Sequence, residues 1–257
     1  MAEKTYPWKV AWITGASGAI CGEIARRLAN AGVKIAATAR PSERLDALAA
    51  SHANITAFPA DVLDADALKA CAAKVEAELG AIDLALLGAG MYVPFDIRNI
   101  DTQGFAATMA LNVDGVLNGV ATVLPSMLDR HEGQIAIMGS LFGYAGWPEN
   151  GGYGASKAAV INLAESLKLE LRGTGVDLTL INPGFVDTPL NASYDPKKKL
   201  FVISKERCAR KILEKLPKRP YEIAFPIQVE LFLKTVRNLP RFVSFPIVRW
   251  FIKVTGA

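Results

Sequence analysis

The sequence predicts a doubly wound α/β fold, a parallel sheet with helices on both faces, followed by an apolar and basic helical extension. Short apolar runs alternate with longer helical patterns across the first 190 residues. Several runs are continuous Val, Ile, Leu and Ala stretches rather than alternating ones, as parallel strands covered on both faces require. The 257 residues are 51% hydrophobic and 21% charged, enough to bury one substantial core.

The strand runs, in order, are Val10–Thr14, Val33–Ala39, Ile55–Phe58, Ile82–Leu87, Gln134–Met138 and Val176–Ile181. Between them lie helical patterns such as Ala65–Leu79 and Tyr153–Arg172. GAID (80–83) and GTGVD (173–177) mark helix ends that lead into strands. After Pro189 the texture turns polar and basic, predicting a substrate loop at about 189–204. Residues 204–216 then read as a helix with Ser204 as N-cap. The main domain is expected over residues 5–222 and the extension over 223–257.

Composition excludes several classes. The N-terminal MAEKTYPWKVAWIT has no long apolar core or small-residue cleavage site, so no secretory leader is expected. Cys21, Cys71 and Cys208 are odd in number and far apart, which points to a reducing cytoplasm. His52 and His131 are isolated and read as surface residues, so no metal site is expected. The net charge of +4 is uneven: from Tyr194 onward there are 15 Lys and Arg against 5 Asp and Glu. Nucleic acid, anionic lipid and a solvated face each fit a basic tail.

TGASGAICGEIA, residues 14–25, places a tight Gly15 turn between a strand and a helix, where free backbone N–H groups form an anion site. Gly15, Ser17, Gly18, Ala19 and Ile20 are its candidate contacts. The second strand ends at Arg40, with Ser42 and Arg44 following and no acidic residue before it. An acidic residue there suits the ribose hydroxyl of NAD(H), whereas Arg suits a 2′-phosphate, so NADP(H) is favoured over NAD(H). Tyr153 and Lys157 lie four apart on one helix face. An ammonium beside a phenol favours the phenolate, which makes the pair a tuned acid/base. Ser140 ends a strand 13 residues earlier, and Asn112 and Pro183–Gly184 complete the set.

In the order and spacing of these motifs, the chain from Lys9 to Leu190 resembles the short-chain dehydrogenase/reductase family, of the short single-domain type with a Rossmann-like sheet. The resemblance rests on Thr14–Gly15, Asp61–Val62, Gly88-Ala89-Gly90, Asn112, Ser140, Tyr153-x-x-x-Lys157 and NPGFVDTP (182–189). It implies that Tyr153 exchanges the proton on the substrate oxygen. Lys157 is then expected to lower the tyrosine pKa and hold the nicotinamide ribose. Ser140 is expected to hydrogen-bond the carbonyl, and Asn112 to hold a water of the proton relay. It places Asp61 and Val62 at the adenine, Gly184, Val186 and Thr188 at the nicotinamide, and implies a homodimer or homotetramer.

Two features depart from the pattern. Gly88 stands where the family has an asparagine that braces the sheet. The turn fits Thr-Gly-x-x-x-Gly-x-Gly poorly; it fits the longer, epimerase-like Thr-Gly-x-x-Gly-x-x-Gly better, but Cys21 replaces a glycine in both. The short chain after Thr188 and the YGASK wording favour the short type, leaving a sugar-nucleotide epimerase or dehydratase as an alternative. Cys21 has two open readings: a small packing residue, or a thiol activated by the helix N-terminus.

From Ile223 to Val254, prolines and charges interrupt the apolar residues too often for a spanning helix. The texture suits helices that lie in a bilayer interface, cap the substrate pocket or form an interface. The expected function is therefore an NADP(H)-dependent oxidoreductase that interconverts an apolar ketone or aldehyde with an alcohol, cytoplasmic or at the membrane surface, without nucleic-acid partners. A membrane-docked NADP(H)-binding scaffold with little catalysis is the alternative from another class.

Overall fold

The computed structural model describes residues 5–191 and 199–255. Part of the expected substrate loop thus lies outside the described residues. The elements are β1 (Val10–Thr14), α1 (Ala19–Asn30), β2 (Lys34–Thr38), α2 (Glu43–Ala50), β3 (Ile55–Ala57), α3 (Ala65–Leu79), β4 (Leu84–Leu87), α4 (Thr102–Met109), α5 (Gly115–Asp129), β5 (Gly133–Met138), α6 (Gly151–Glu170), β6 (Val176–Pro183), β7 (Val186–Asp187), β8 (Ile203–Ser204), α7 (Lys205–Lys215), β9 (Glu222–Phe225), α8 (Ile227–Asn238) and α9 (Arg241–Thr255). One turn of π-helix, Ala110–Asp114, joins α4 to α5.

Seven parallel strands form the main sheet in the order β3-β2-β1-β4-β5-β6-β9. The expected doubly wound sheet is therefore present, and its order reverses between β1 and β4. Alternation within β1 sorts residues to two cores. Val10 and Trp12 join the face built with α3, α5 and α6, while Ala11 and Ile13 join the face built with α1, α2 and α7.

Local chemistry sets many element ends. Side chains of Ser42, Asp64, Asp101 and Ser204 cap α2, α3, α4 and α7, each accepting a backbone N–H three residues on. The strand expected from Ile82 begins at Leu84, and just before it the Asp83 carboxylate accepts the N–H groups of Lys9 and Val10. α6 starts two residues before Tyr153, so this tyrosine sits in the helix's first turn.

The expected boundary between residues 222 and 223 falls inside a strand. β9 pairs with β6 from Leu180↔Glu222 to Pro183↔Phe225, since the edge of β6 needs a backbone partner. The helical extension accordingly begins after Phe225. α8 is held to the sheet by a partly buried polar network. Asn182 Nδ2 donates to Tyr144 Oη at 2.9 Å and to Glu222 Oε1 at 2.7 Å, and Lys234 Nζ donates to both Glu222 and Glu230.

Candidate active site

In an open α/β sheet, ligands bind outside the carboxyl ends of the strands where the order reverses. Here those ends are Thr14 of β1 and Leu87 of β4, with Met138 of β5 and Pro183 of β6 beside them. A cleft of ≈ 780 Å³ lies above them. Its floor at one end is the glycine turn, with Gly15, Ser17, Gly18, Ala19 and Ile20 on the lining as expected. Gly15 has φ +65°, and a Cβ there would fall 2.6 Å from Ala89 N and 2.8 Å from Gly88 C. Only glycine lets this turn approach β4 so closely. No side chain caps α1, so its first N–H groups remain available to an anion. The turn therefore fits a dinucleotide pyrophosphate.

The two departures in this region compensate each other. A Cβ on residue 88 would lie 2.2 Å from Cys21 Sγ. The thiol thus fills the space that a side chain at position 88 would need. Cys21 is buried, and burial pushes its thiol up to about 12, with Lys157 drawing it only partly back. Burial and the fit against residue 88 favour the packing reading of Cys21 over the activated-thiol reading.

Ser140, Tyr153 and Lys157 meet at the other end of the cleft, with Pro183, Gly184, Val186 and Thr188 beside them. Ser140 caps a short 3₁₀ turn, accepting the Phe142 N–H at 3.2 Å. Lys157 Nζ donates to the Met138 carbonyl at 2.8 Å and stands 5.7 Å from the centre of the Tyr153 ring. Burial lowers the Lys157 ammonium to about 8, a shift that Cys21 partly opposes. Burial raises the Tyr153 phenol, while a hydrogen bond with Ser140 pulls it back. The expected depression of Tyr153 by Lys157 is therefore not what the protein alone produces: desolvation of the phenol dominates.

Asn112 is fully buried behind this site. Its Nδ2 donates to Met91 O and Ser156 Oγ, and its Oδ1 accepts the Met91 N–H at 2.8 Å. A Cβ at position 90 would meet Asn112 Oδ1 at 3.1 Å and Lys157 Nζ at 3.7 Å, so Gly90 gives these groups room. The Asn112 side chain acts as a brace between the Met91 backbone and α6, in a π-helical turn that interrupts the α4–α5 helix.

Arg44, Gly88 and Gly90 line the cleft, whereas Arg40, Asp61, Val62, Ala89 and Asn112 do not. Arg40 is exposed beyond β2. The Asp61 carboxylate folds back to accept the Leu63 N–H, and Val62 is packed where a Cβ on Gly115 would be. Ala89 presents its backbone to Gly15 rather than a side chain to the cleft. Two cations missed in the sequence, Arg26 and Lys205, stand on the lining. Arg26 follows Gly22 by one helical turn, and that spacing is the signal that identifies it.

A second, apolar chamber of ≈ 140 Å³ shares Phe142, Gly184 and Phe185 with the cleft. An aromatic chain continues its wall: Phe142 meets Phe185 and Trp147 edge-on, Trp147 meets Phe251, and Phe251 stacks on Phe232 at 4.3 Å. Phe232 and Phe251 come from α8 and α9, so the extension walls the chamber.

Comparison with known proteins agrees with this geometry. The family model described as short chain dehydrogenase matches residues 9–199. An uncharacterised oxidoreductase of Staphylococcus saprophyticus is 36% identical over 192 residues, 73% of this chain and 82% of its own. One from Myxococcus xanthus is 32% identical over 244 residues, covering 93% of this chain and 95% of its own. Among solved structures, an alcohol dehydrogenase from the archaeon Thermococcus sibiricus complexed with 5-hydroxy-NADP is 26% identical. It covers 85% of this chain and 96% of its own, with a TM-score of 0.75.

Two predictions follow from the packing and the buried charge. Gly88→Ala is expected to cost about 1–3 kcal/mol by overpacking against Cys21, and far less in a Cys21→Gly background. Equal losses by denaturant unfolding in both backgrounds overturn the compensation. Lys157 falls from its ordinary 10.5 to about 8 on folding. It therefore weakens the fold fully below pH 8, and the penalty fades as pH climbs to 10.5. Lys157→Met should be more stable than the native chain at pH 7, with the gap closing between pH 8 and 10.5. A gap that stays constant with pH contradicts the shift.

Proposed function

The chain belongs to the short-chain dehydrogenase family, and from this premise we propose that it is an NADP(H)-dependent oxidoreductase interconverting an apolar ketone or aldehyde with its alcohol. The observation that carries the reading is the convergence of Ser140, Tyr153 and Lys157 where the cleft opens beside an aromatic chamber. When bound, the nicotinamide supplies or takes up the hydride. Tyr153 holds the proton that the substrate oxygen gains on reduction or loses on oxidation. Its raised pKa keeps the phenol protonated at neutral pH, the state required to donate to a carbonyl oxygen as charge develops there.

Ser140 is placed to hydrogen-bond the same oxygen and orient the carbonyl. Lys157, fixed by the Met138 carbonyl, brings a positive charge beside the tyrosine and a donor for ribose hydroxyls. Because the Asn112 side chain is engaged with Met91 and Ser156, its role in a relay falls to the main chain of the π-helical turn. Gly184, Val186 and Thr188 bound the nicotinamide end.

Support for a 2′-phosphate comes from Arg26 and Arg44, which line the glycine-turn end of the cleft. The alcohol dehydrogenase relative in complex with 5-hydroxy-NADP agrees with that choice. The apolar chamber favours a carbonyl compound with a benzene-sized apolar group, since an engineered apolar cavity of about 150 Å³ binds benzene.

Tyr153→Phe should lower turnover by about 10²–10⁴-fold while NADPH binding by fluorescence titration is retained. A fully active variant sinks the mechanism. Arg26→Ala and Arg44→Ala should each weaken NADPH by about tenfold or more, the size of one charge-assisted hydrogen bond, with NADH binding unchanged. Tighter binding of NADH than NADPH, or a loss confined to Arg40→Ala, overturns this assignment.

A further inference from the structure

α9 has two faces with different surroundings. Ser244 is buried, and Phe251 reaches inward to Phe232 and the chamber wall. The opposite face leaves Phe242 81%, Phe245 62% and Trp250 64% exposed. Three aromatic side chains open to water on one 15-residue helix form a surface that needs an occupant. Phe242, Phe245, Arg249 and Lys253 follow one helical stripe, with Arg241 and Trp250 beside it.

We propose that this outward face docks on an anionic phospholipid bilayer, from which the chamber beneath α9 receives the apolar part of its substrate. The substrate half of the inference rests on the proposed reaction; the docking half does not.

Charge selects the occupant. From Leu231 to the C-terminus the sequence has five Lys and Arg and no Asp or Glu. Lys234 is bound to Glu222 and Glu230. Among the described residues, Arg241, Arg249 and Lys253 have no ion-pair partner, and all three are exposed. Elsewhere on the surface, cations such as Arg27 and Arg210 pair with a carboxylate one helical turn away. Unpaired cations beside aromatic rings match the headgroup region of an anionic leaflet, where the rings enter the acyl boundary and the long basic stems reach to phosphates. A second copy of the same face is a poor partner, because a two-fold contact would bring these cations against one another.

Length agrees with an in-plane position. Fifteen residues of helix span about 22 Å, short of the ~30 Å hydrocarbon core. The chamber also touches apolar surface: Phe201 lines it while remaining 54% exposed, next to exposed Val202. On α8, exposed Ile227 and Leu231 flank the chamber-lining residues Gln228 and Phe232.

The test is flotation of the full chain with vesicles of phosphatidylcholine alone or mixed with phosphatidylglycerol. The native chain should float with the mixed vesicles and not with the neutral ones. Arg249→Glu with Lys253→Glu should reduce partitioning by about tenfold or more, at roughly 1 kcal/mol per basic residue near the surface. Phe242→Ser, Phe245→Ser and Trp250→Ser together should abolish it, with an unchanged circular dichroism melt showing that the fold persists. Phe251→Ala should still float, yet raise KM for bulky apolar ketones more than for acetone-sized ones.

No flotation of the native chain on anionic vesicles overturns docking. So does flotation that the outward substitutions leave intact, or their conversion of a dimer to a monomer by light scattering without a change in flotation. Tyr153→Phe separates the two readings. It should float like the native chain, so a chain that floats but reduces no carbonyl removes only the reaction, and one that reduces ketones but does not float removes only docking.

Discussion

The site depends on the close approach of the β1–α1 turn to the end of β4. With a Cβ at Gly15 excluded by the backbone of residues 88 and 89, the turn lies flat against β4 and aims the start of α1 at the cleft. Helix N–H groups can serve an anion only if nothing else occupies them, and α1 starts without a side-chain cap. The same closeness explains why Cys21 and Gly88 belong together. Two positions that look like independent departures in one dimension share a single volume in three.

Burial then sets the electrostatics at the opposite end of the cleft. Lys157 and Tyr153 are both pushed by desolvation toward their neutral forms, the lysine to about 8 and the phenol upward. Specific contacts moderate this: Cys21 partly opposes the lysine's shift, and Ser140 draws the phenol back. Behind them Asn112 ties the Met91 backbone to Ser156 of α6, whose hydroxyl in turn donates to the Tyr153 carbonyl at 2.7 Å. The tyrosine is therefore positioned by a buried chain of hydrogen bonds that begins in the π-helical turn. Such networks are stiff because each member left unpaired would carry a desolvation cost.

The C-terminal segment is packed into the sheet and the chamber wall. β9 completes the sheet, the Asn182–Glu222–Lys234 network pins α8, and α8 and α9 close the chamber with Phe232 and Phe251. Part of the chamber wall thus comes from residues beyond the segment that the family match covers. α9 joins two environments, with the chamber on its inner face and a basic aromatic surface on its outer face.

The sequence by itself determined the parallel sheet, helices α3, α6 and α7, the Ser204 cap and the grouping of Ser140, Tyr153 and Lys157. These follow from local periodicity, short-range capping and motifs whose spacing folding preserves. Only the tertiary structure decided which cations face the cleft. Arg40, adjacent to a strand end, lies outside the lining, while Arg26, two turns into α1, lies on it. Only the structure showed that β9 belongs to the sheet, because strand pairing joins residues 42 apart in sequence, as at Asn182 and Ala224. The state of Cys21 and the direction of the Tyr153 shift were likewise tertiary matters. A pKa depends on how much water the fold removes, and no spacing along the chain records that.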